Sequence, residues 1–356
     1  MAQTPDPGHP LRFGVLATGS IARAVAPAIH AAEGCEVVCF ASRSRDRAVA
    51  CAREMGLSSP IAACTYEELV ELDAVDAVYL ANMNDGHPEW SIRLLRAGKH
   101  VLCEKPMAWT AADARAMLDA ADESGRVLVE AFMMLHSTVI RDAVALAQDP
   151  SGPIGRLKRI EAAFEVSIAT EPPARSTRFS RELVGGAILD LGCYPLCLGR
   201  AITGEEPEIR SAEGEFVDWY QPEGVGRVGD GPVDGSARVE AVFPSGVELS
   251  FSCSMTAPRR IHARLIGDKA AIEVPGFQNP ARYDIASLDD LDEHRPGLER
   301  DWIPESYTEQ AASFGRACRG EGGPWPSREF MLGQAEAIEA VYEKMGFELP
   351  VARGVG

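Results

Sequence analysis

Hydrophobic positions follow two different periods along the first 135 residues. Short apolar runs, which favour buried β-strands, alternate with segments whose apolar residues recur at the spacing of an α-helix. The runs predict strands at 11–17, 35–42, 74–82, 100–104 and 126–134, and the segments predict helices at 20–32, 45–56, 88–98 and 110–125. Because such alternation gives a parallel sheet covered by helices on both faces, we expect a doubly wound α/β domain over residues 11–135.

The ends of these helices carry their own signals. Thr110, with Asp113 three residues later, is a capping pair, and Gly56 and Gly125 stand where helices can end. Pro27 falls inside the first helical segment, where it lacks an amide donor, so we expect it to kink or loosen that helix.

The pattern changes beyond residue 135. A helix is predicted at 138–148, and strands at 160–168, 209–220, 236–255 and 261–274, with tight turns at 243–246 and 267–269. Residues 275–304, including the acidic stretch 284–301, predict an irregular surface loop, and closing helices follow at 305–320 and 327–346. This succession predicts a second, α+β domain over residues 136–352 with a mostly antiparallel sheet.

Charge and cysteine content narrow the possible partners. The chain of 356 residues has a formal net charge of −18, which repels nucleic-acid phosphates and anionic lipid. The first ten residues lack the features of a signal peptide, and no apolar run approaches the roughly 20 residues that span a bilayer. The nine cysteines have no metal-binding spacing and are expected to be buried thiols. We expect a soluble cytoplasmic protein that binds neither nucleic acid nor membranes.

The turn between the first strand and the first helix could bind a dinucleotide. In such turns small residues let the backbone approach the pyrophosphate, and the amides of the helix N-terminus face it. Ala17 and Ala22 stand where glycines are usual, whereas Gly19 is retained. The cofactor contacts expected here are Gly14, Thr18, Gly19, Ser20 and Ile21. The alternative is an ordinary tight turn.

The residues after the second strand indicate which nicotinamide cofactor is preferred. An NAD enzyme usually has an acidic residue here, and that carboxylate would repel the 2′-phosphate of NADP. This chain instead has Ser42, Arg43 and Arg45 before its first acid, Asp46, and then Arg47. Because hydroxyl and guanidinium groups suit a phosphate, the sequence favours NADP(H) over NAD(H), with Ser42, Arg43 and Arg47 as contacts. The alternative is a solvated basic loop.

The stretch VLCEKPM, residues 101–107, ends a buried-looking strand on a lysine followed by a proline. Ligands of open α/β sheets bind beyond the carboxyl ends of the strands, where Glu104 and Lys105 stand. Pro106 restricts Lys105 to an extended conformation that would aim its ammonium at the nicotinamide. Ala81 and Asn82, at the end of the preceding strand, are also expected to contact the cofactor. The alternative is a solvated lysine.

A second chemically rich stretch is GGAILDLGCYP at 185–195, which predicts a glycine turn that opens a helix. Asp190 and Tyr194 are four residues apart and would share one helix face, where a carboxylate and a phenol could line a pocket. The alternative is a helix cap with an amphipathic tyrosine. Arg178 and Phe179 precede the turn and could reach a substrate, and for Arg178 a rim position is equally compatible.

Together these segments resemble the Gfo/Idh/MocA oxidoreductases. The resemblance covers nearly the whole chain and rests on GVLATGSIA, NMNDGHPEWSIRLLRAGKHVLCEKPM, GGAILDLGCYP and YTEQAASFGRACRG. It implies a Rossmann domain followed by an open antiparallel sheet that is often a dimer face, and a cis peptide bond before Pro106. It therefore predicts a homodimer or homotetramer formed through the C-terminal sheet.

The resemblance also implies roles for individual residues. Lys105 and Tyr194 form the catalytic pair, with Tyr194 exchanging a proton with the substrate oxygen, and Asp190 orients the lysine or a substrate hydroxyl. An unperturbed phenol has a pKa of about 10, and a nearby ammonium lowers it. His87 is expected in a structural or cofactor-edge role. Tyrosine at 194, where many relatives have histidine, is similar to the branch of dihydrodiol dehydrogenase, glucose–fructose oxidoreductase and xylose dehydrogenases.

This likeness implies an oxidoreductase that needs no metal, and the basic residues after the second strand favour NADP(H) as its cofactor. It would transfer a hydride between the nicotinamide and a carbon-bound hydroxyl or carbonyl of a sugar, cyclic polyol or dihydrodiol. A nucleotide-sugar ketoreductase of secondary metabolism is the alternative among enzymes. A nucleotide-binding sensor without turnover is the alternative from another class, and the presence of both Lys105 and Tyr194 argues against it.

Overall fold

A computed structural model of the chain describes residues 9–57, 61–222, 224, 229–291 and 304–349. Its first part contains β1 (Leu11–Leu16), α1 (Ser20–Ala31), β2 (Cys35–Ala41), α2 (Arg45–Met55), β3 (Ala62–Cys64), α3 (Tyr66–Glu71), β4 (Ala77–Leu80), α4 (His87–Arg96), β5 (His100–Glu104), α5 (Ala111–Ser124) and β6 (Leu128–Ala131). The later part contains α6 (Thr138–Gln148), β7 (Leu157–Glu165), α7 (Cys193–Thr203), β8 (Glu208–Val217), β9 (Val233–Val242), β10 (Glu248–Ser254), β11 (Arg260–Gly267), β12 (Ala270–Pro275), β13 (Asp284–Ser287), α8 (Glu305–Cys318) and α9 (Arg328–Met345).

The first sheet is parallel throughout and has the strand order β3-β2-β1-β4-β5-β6. The order changes direction between β1 and β4, and doubly wound folds bind ligands beyond the carboxyl ends of the strands at such a point. The predicted doubly wound domain is confirmed. Its central strands are buried on both faces, which explains why they are continuous apolar runs in the sequence.

The predicted capping pair and the two predicted glycine helix ends are confirmed. Thr110 accepts a hydrogen bond from the Asp113 amide at 3.1 Å, and α2 and α5 end at Gly56 and Gly125 in the left-handed conformation. The helix α1 continues through Pro27 to Ala31.

One strand–helix pair, β3 and α3, was missed by the sequence analysis. β3 has only three residues, which is too short for a hydrophobic period to show. The start of α3 did carry a local signal, because Thr65 and Glu68 form a reciprocal capping box.

The described residues group into two compact units. One runs to His136 and includes a later segment that ends at Leu332, and the other begins at Ser137 and includes residues from Gly333. The helix α8 thus packs in the first unit, where the Phe314 ring lies 5.7 Å from the Phe13 ring of β1.

The second unit contains a seven-stranded sheet in the order β13-β12-β11-β7-β10-β9-β8. Only β7 and β10 pair in parallel among these strands, so the prediction of a mostly antiparallel sheet is confirmed. Alternate side chains such as Ile160 and Phe164 are buried on one face, against which α7 packs. The backbone turns at Phe243–Gly246 as predicted, with the Gly246 amide bonded to the Phe243 carbonyl at 2.8 Å.

The predicted irregular loop at 275–304 is wrong in one part. Asp284–Ser287 form the edge strand β13, which pairs antiparallel with β12. This strand is short and mostly exposed, so it lacks the apolar alternation of a half-buried strand. The remainder of the acidic stretch from residue 292 lies outside the described residues.

All nine cysteines are free and buried, which confirms the expectation of buried thiols. Within the part of the chain that the structure describes, no helix is both long and apolar enough to cross a membrane.

Candidate active site

The turn between β1 and α1 leaves the N-terminus of α1 open. Gly19 is the N-cap residue, no side chain caps the helix, and its first turn contains no acidic residue. A Cβ added to Gly19 would meet no atom within 4 Å. Free amides at a helix N-terminus bind phosphate groups, so this turn fits the pyrophosphate of a dinucleotide. Thr18, Ser20 and Ile21 lie around it and are exposed or half-buried, as cofactor contacts need to be.

Ala17 has a positive φ of 114°, a conformation that side-chain-bearing residues rarely adopt. This is one of the positions where a glycine is usual, and the backbone conformation shows why. Gly14 has a different reason to lack a side chain, because it lies within β1 and an added Cβ would stand 2.6 Å from Leu69 Cδ1. The structure therefore gives Gly14 a packing role, and its contact with a cofactor stays a prediction.

The carboxyl end of β2 presents basic side chains to solvent. Ser42 is buried, whereas Arg43 and Arg47 are exposed and make no ion pair with another described residue. Arg45 differs, because it pairs with Glu68 and donates to the Ala63 carbonyl. Two guanidinium groups thus remain available for an anion such as a 2′-phosphate.

The carboxyl end of β5 is anchored by a buried hydrogen bond. The Tyr79 hydroxyl of β4 donates to Glu104 Oε1 at 2.5 Å, and Glu104 Oε2 accepts from the Lys105 amide at 3.2 Å. The Lys105–Pro106 peptide bond is cis, as the resemblance implied. Lys105 is half-buried and follows the strand directly, so its position is set by β5. Ala81 is buried just after β4.

His87 links the start of α4 to this strand end. Its Nδ1 lies 2.9 Å from the Pro106 carbonyl oxygen and its Nε2 lies 3.3 Å from that of Asn82. The pKa of His87 is lowered to about 4, chiefly by burial and to a lesser extent by the nearby Lys105 charge, while the hydrogen bonds to the Pro106 and Asn82 carbonyls oppose the shift. A neutral, buried imidazole in this setting suits the expected structural or cofactor-edge role.

In the second unit, Asp190 and Arg178 form a close ion pair. Arg178 Nε donates to Asp190 Oδ2 at 2.6 Å, and the Arg178 side chain is 51% exposed whereas that of Asp190 is 18% exposed. Asp190 lies in a π-helical turn, Ile188–Gly192, whose i→i+5 bond joins the Cys193 amide to the Ile188 carbonyl. The predicted helix does begin after the glycine turn, but its first turn is a π turn that leads directly into α7. Such π turns are frequent at functional sites.

Tyr194 lies in the first turn of α7 and is 7% exposed. Its ring packs against Phe164 of β7 at 5.2 Å. The preceding residue, Cys193, is fixed through its carbonyl by Gln334 Nε2 at 2.9 Å, and Gln334 in turn accepts from the buried Arg200 at 3.0 Å. The start of α7, and with it Tyr194, is therefore held in place by buried hydrogen bonds.

Phe179 is fully buried and stacks on Trp219 with ring centroids 5.9 Å apart. The structure therefore gives Phe179 a packing role, while the adjacent Arg178 is the exposed member of the predicted pair.

The buried polar residues that support both groups were not predicted from the sequence. Tyr79 holds Glu104, and Asp234 of β9 accepts hydrogen bonds from the Ile188 amide and the Tyr342 hydroxyl. For Tyr79 the signal in the sequence was a hydroxyl group within an otherwise apolar strand, whereas Asp234 lies in a strand with several polar residues and gives no such signal. Within the described residues, no group of three or more His, Cys, Asp or Glu side chains could hold a metal ion.

Family models match both parts of the chain. The model of an oxidoreductase family with an NAD-binding Rossmann fold, GFO_IDH_MocA, matches residues 11–132. The GFO/IDH/MocA C-terminal domain matches residues 141–273.

Named relatives extend over nearly the whole length. A dTDP-3,4-didehydro-2,6-dideoxy-alpha-D-glucose 3-reductase of Streptomyces violaceoruber is 34% identical, covering 93% of this chain and 94% of the relative. D-xylose 1-dehydrogenase (NADP(+)) 2 of Haloferax volcanii is 28% identical, covering 94% of this chain and 97% of the relative. The crystal structure of KijD10, a 3-ketoreductase from Actinomadura kijaniata with NADP and TDP-benzene, has a TM-score of 0.79 at 27% identity and covers 94% of this chain and 98% of that chain.

Proposed function

The chain belongs to the Gfo/Idh/MocA family of NAD-binding oxidoreductases, and from this premise we propose that it transfers a hydride between NADP(H) and a carbon-bound hydroxyl or carbonyl group of a sugar, cyclic polyol or dihydrodiol. One observation carries the proposal. The open helix N-terminus at Gly19 and the anchored Lys105 both follow the carboxyl ends of strands in one parallel sheet. That edge is where such sheets bind nucleotides.

The proposed roles of the residues follow from their chemistry. When bound, the nicotinamide supplies or accepts the hydride. Tyr194 exchanges the proton of the substrate oxygen, because a phenol can both donate and accept at one atom. Lys105 assists as a cation that stabilises negative charge on oxygen. Arg178 and Asp190 bind substrate hydroxyls, because together they offer donors and acceptors at a half-exposed position.

The preference for NADP(H) is supported by Arg43 and Arg47, which lack ion pairs with described residues, and by relatives named for or solved with NADP. Titration with NADPH and NADH, followed by quenching of tryptophan fluorescence, measures the preference directly. Arg43→Ala should weaken NADPH binding about 10-fold, equal to about 1.4 kcal/mol, and leave NADH within about twofold. Arg53→Ala is the matched control, because it removes an exposed arginine from the last turn of α2, the helix that follows Arg43. Equal losses of both nucleotides in Arg43→Ala would remove it from 2′-phosphate recognition.

The substrate class is tested with a panel of purified compounds. D-xylose, myo-inositol and trans-1,2-dihydrobenzene-1,2-diol are supplied with NADP⁺, and nicotinamide absorbance is followed. Turnover of any of them at millimolar concentration supports the proposal. Binding of NADPH without turnover of any compound supports a sensor instead.

A nucleotide-sugar ketoreductase is the second candidate. It is favoured by the relative at 34% identity, which is named as a reductase of a dTDP-linked keto sugar, and by the similarity to KijD10. That keto sugar belongs in the same panel with NADPH. A kcat/KM at least 100-fold above those of the free sugars would identify this candidate as the function.

We also propose that copies of the chain associate through the outer face of the second sheet. Alternate residues on this face are polar and of both charges, including Glu161, Arg238, Ser250, Ser252 and His262. Such a face can complement itself about a twofold axis. Sedimentation equilibrium measures the mass, and a monomer at micromolar concentration would exclude this assembly.

A further inference from the structure

A fully buried carboxyl group lies beneath the π-helical turn. Asp234, in β9, has no exposed surface. Both of its oxygens are used: Oδ2 accepts from the Ile188 amide at 2.6 Å, and Oδ1 accepts from the Tyr342 hydroxyl of α9 at 2.7 Å. A buried carboxyl group is tolerated only with such partners. The two partners come from separate segments of the chain, so Asp234 joins its own sheet to the π turn and to the last helix.

Gly186 connects this carboxyl group to the Arg178–Asp190 ion pair. A Cβ at Gly186 would stand 2.2 Å from Asp234 Oδ1 and 2.9 Å from the Tyr342 hydroxyl, so the backbone lies directly against the pair. The Gly186 amide donates to the Arg178 carbonyl at 2.9 Å, and its carbonyl accepts from the Asp190 amide at 3.0 Å. Both members of the ion pair are therefore bonded through their backbones to one residue that rests on Asp234.

The geometry also explains the orientation of the π turn. The Ile188 amide is one of the donors at the start of a helix that have no partner inside the helix. Asp234 supplies that partner, and a carboxylate is favoured at this end by the helix dipole. Burial raises the pKa of Asp234 to about 7, and the hydrogen bonds from Ile188 and Tyr342 oppose this.

We propose that Asp234 and Tyr342 are positioning residues for substrate: they clamp the π turn and so hold Arg178 and Asp190 in the arrangement that binds the substrate. Neither residue contacts substrate or cofactor itself. The inference rests on the proposed substrate role of the Arg178–Asp190 pair. It adds that the specificity of this pair depends on a buried hydrogen-bonded pair contributed by β9 and α9.

The test compares Asp234→Asn and Tyr342→Phe with the wild-type protein. Asparagine keeps one acceptor and removes the charge, and phenylalanine keeps the ring and removes the hydroxyl. Glu273→Gln is the matched control, because it also removes a buried carboxylate from the same unit, where Glu273 pairs with Arg264. Circular dichroism melting curves show whether each variant is folded at the assay temperature.

Kinetics provide the first readout, with the panel compound that the wild-type protein turns over fastest. In both variants we expect KM for that compound to rise at least fivefold and the NADPH dissociation constant to stay within twofold. In Glu273→Gln both constants should stay within twofold. A role that is only structural would not raise KM alone in a fully folded protein, so unchanged KM in both variants would overturn the inference.

Hydrogen–deuterium exchange of peptides spanning 185–194 provides a second readout that needs no substrate. Exchange there should be at least 10-fold faster in both variants, because the acceptors of the Ile188 and Asp190 amides, Asp234 and the Gly186 carbonyl, are then less firmly held. Peptides of β10 should stay unchanged. Unchanged exchange at 185–194 would overturn the clamp whether or not any compound is turned over. If the wild-type protein turns over no compound, the proposed function fails separately from the clamp.

Discussion

Replacing Gly19 with alanine tests whether this glycine is needed for cofactor binding or for folding. In this structure Gly19 has an ordinary φ of −72°, and an added Cβ meets no atom within 4 Å. An alanine therefore fits the folded protein without strain. The added methyl group clashes only with a ligand that lies against the helix N-terminus, and the proposed pyrophosphate is such a ligand.

The expected size of each effect follows from this geometry. Alanine in place of glycine at a compatible φ stabilises a protein by about 0.4–1 kcal/mol, because it restricts the unfolded chain. Alanine is a much poorer N-cap than glycine, by an amount comparable to that gain and opposite in sign. The free energy of unfolding should thus change by less than about 1 kcal/mol. A Cβ that pushes the pyrophosphate away from the helix should weaken NADPH binding at least 10-fold, or about 1.4 kcal/mol.

The assay is thermal unfolding of the free protein together with fluorescence titration of NADPH. Gly323→Ala is the matched control, because its Cβ also meets no atom within 4 Å and its φ is not in the left-handed range. Gly14→Ala gives the opposite result to Gly19→Ala, since its Cβ would stand 2.6 Å from Leu69 and should destabilise the fold. If Gly19→Ala bound NADPH as tightly as Gly323→Ala, the pyrophosphate would not lie at this turn.

Three further predictions concern the proposed chemistry and the buried carboxyl group. Lys105→Ala should lower kcat about 100-fold and leave the NADPH dissociation constant within about threefold, and a variant with wild-type kcat would exclude Lys105 from the mechanism. Tyr194→Phe should lower kcat about 100-fold or more and remove one limb of the pH–rate profile, so an unchanged profile would contradict the acid–base role. Burial raises the pKa of Asp234 from 3.8 to about 7, so the folded state holds this proton more tightly than the unfolded state does. Between about pH 4 and pH 7 the wild-type protein should therefore lose stability relative to Asp234→Asn as the pH rises. In chemical denaturation the difference in unfolding free energy should change by at most about 1.4 kcal/mol per pH unit. Tyr342 and Cys253, which face Asp234, do not titrate in this range, because burial raises the pKa of both. A pH dependence of the opposite sign would refute the assignment.

Short or edge elements were the ones that sequence patterns did not predict. β3 has only three residues, and β13 is an edge strand that is mostly exposed, so neither shows a hydrophobic period. Long buried strands such as β1 and β5 were predicted because burial on both faces requires apolar residues at every position.

The candidate site divides in the same way. Gly19, Lys105 and Tyr194 could be named from the sequence, because a glycine turn, a strand end and a helix start are local features that neighbouring residues reveal. The need for a glycine at position 186 could not be predicted, because the atoms that a side chain there would meet belong to Asp234 and Tyr342, far along the chain.

The sequence by itself determined the order of the longer elements, the parallel first sheet and the chemical identity of the candidate site residues. Hydrophobic period, caps and turn residues act over a few positions and can be read there. Only the tertiary structure decided that the segment at 188–192 is a π turn and that Asp234 carries it, across 46 positions of sequence. It also decided that Phe179 is buried against Trp219. The physical reason is that burial and hydrogen-bond partners of a polar group are set by which distant segments pack together, and no local pattern records that choice.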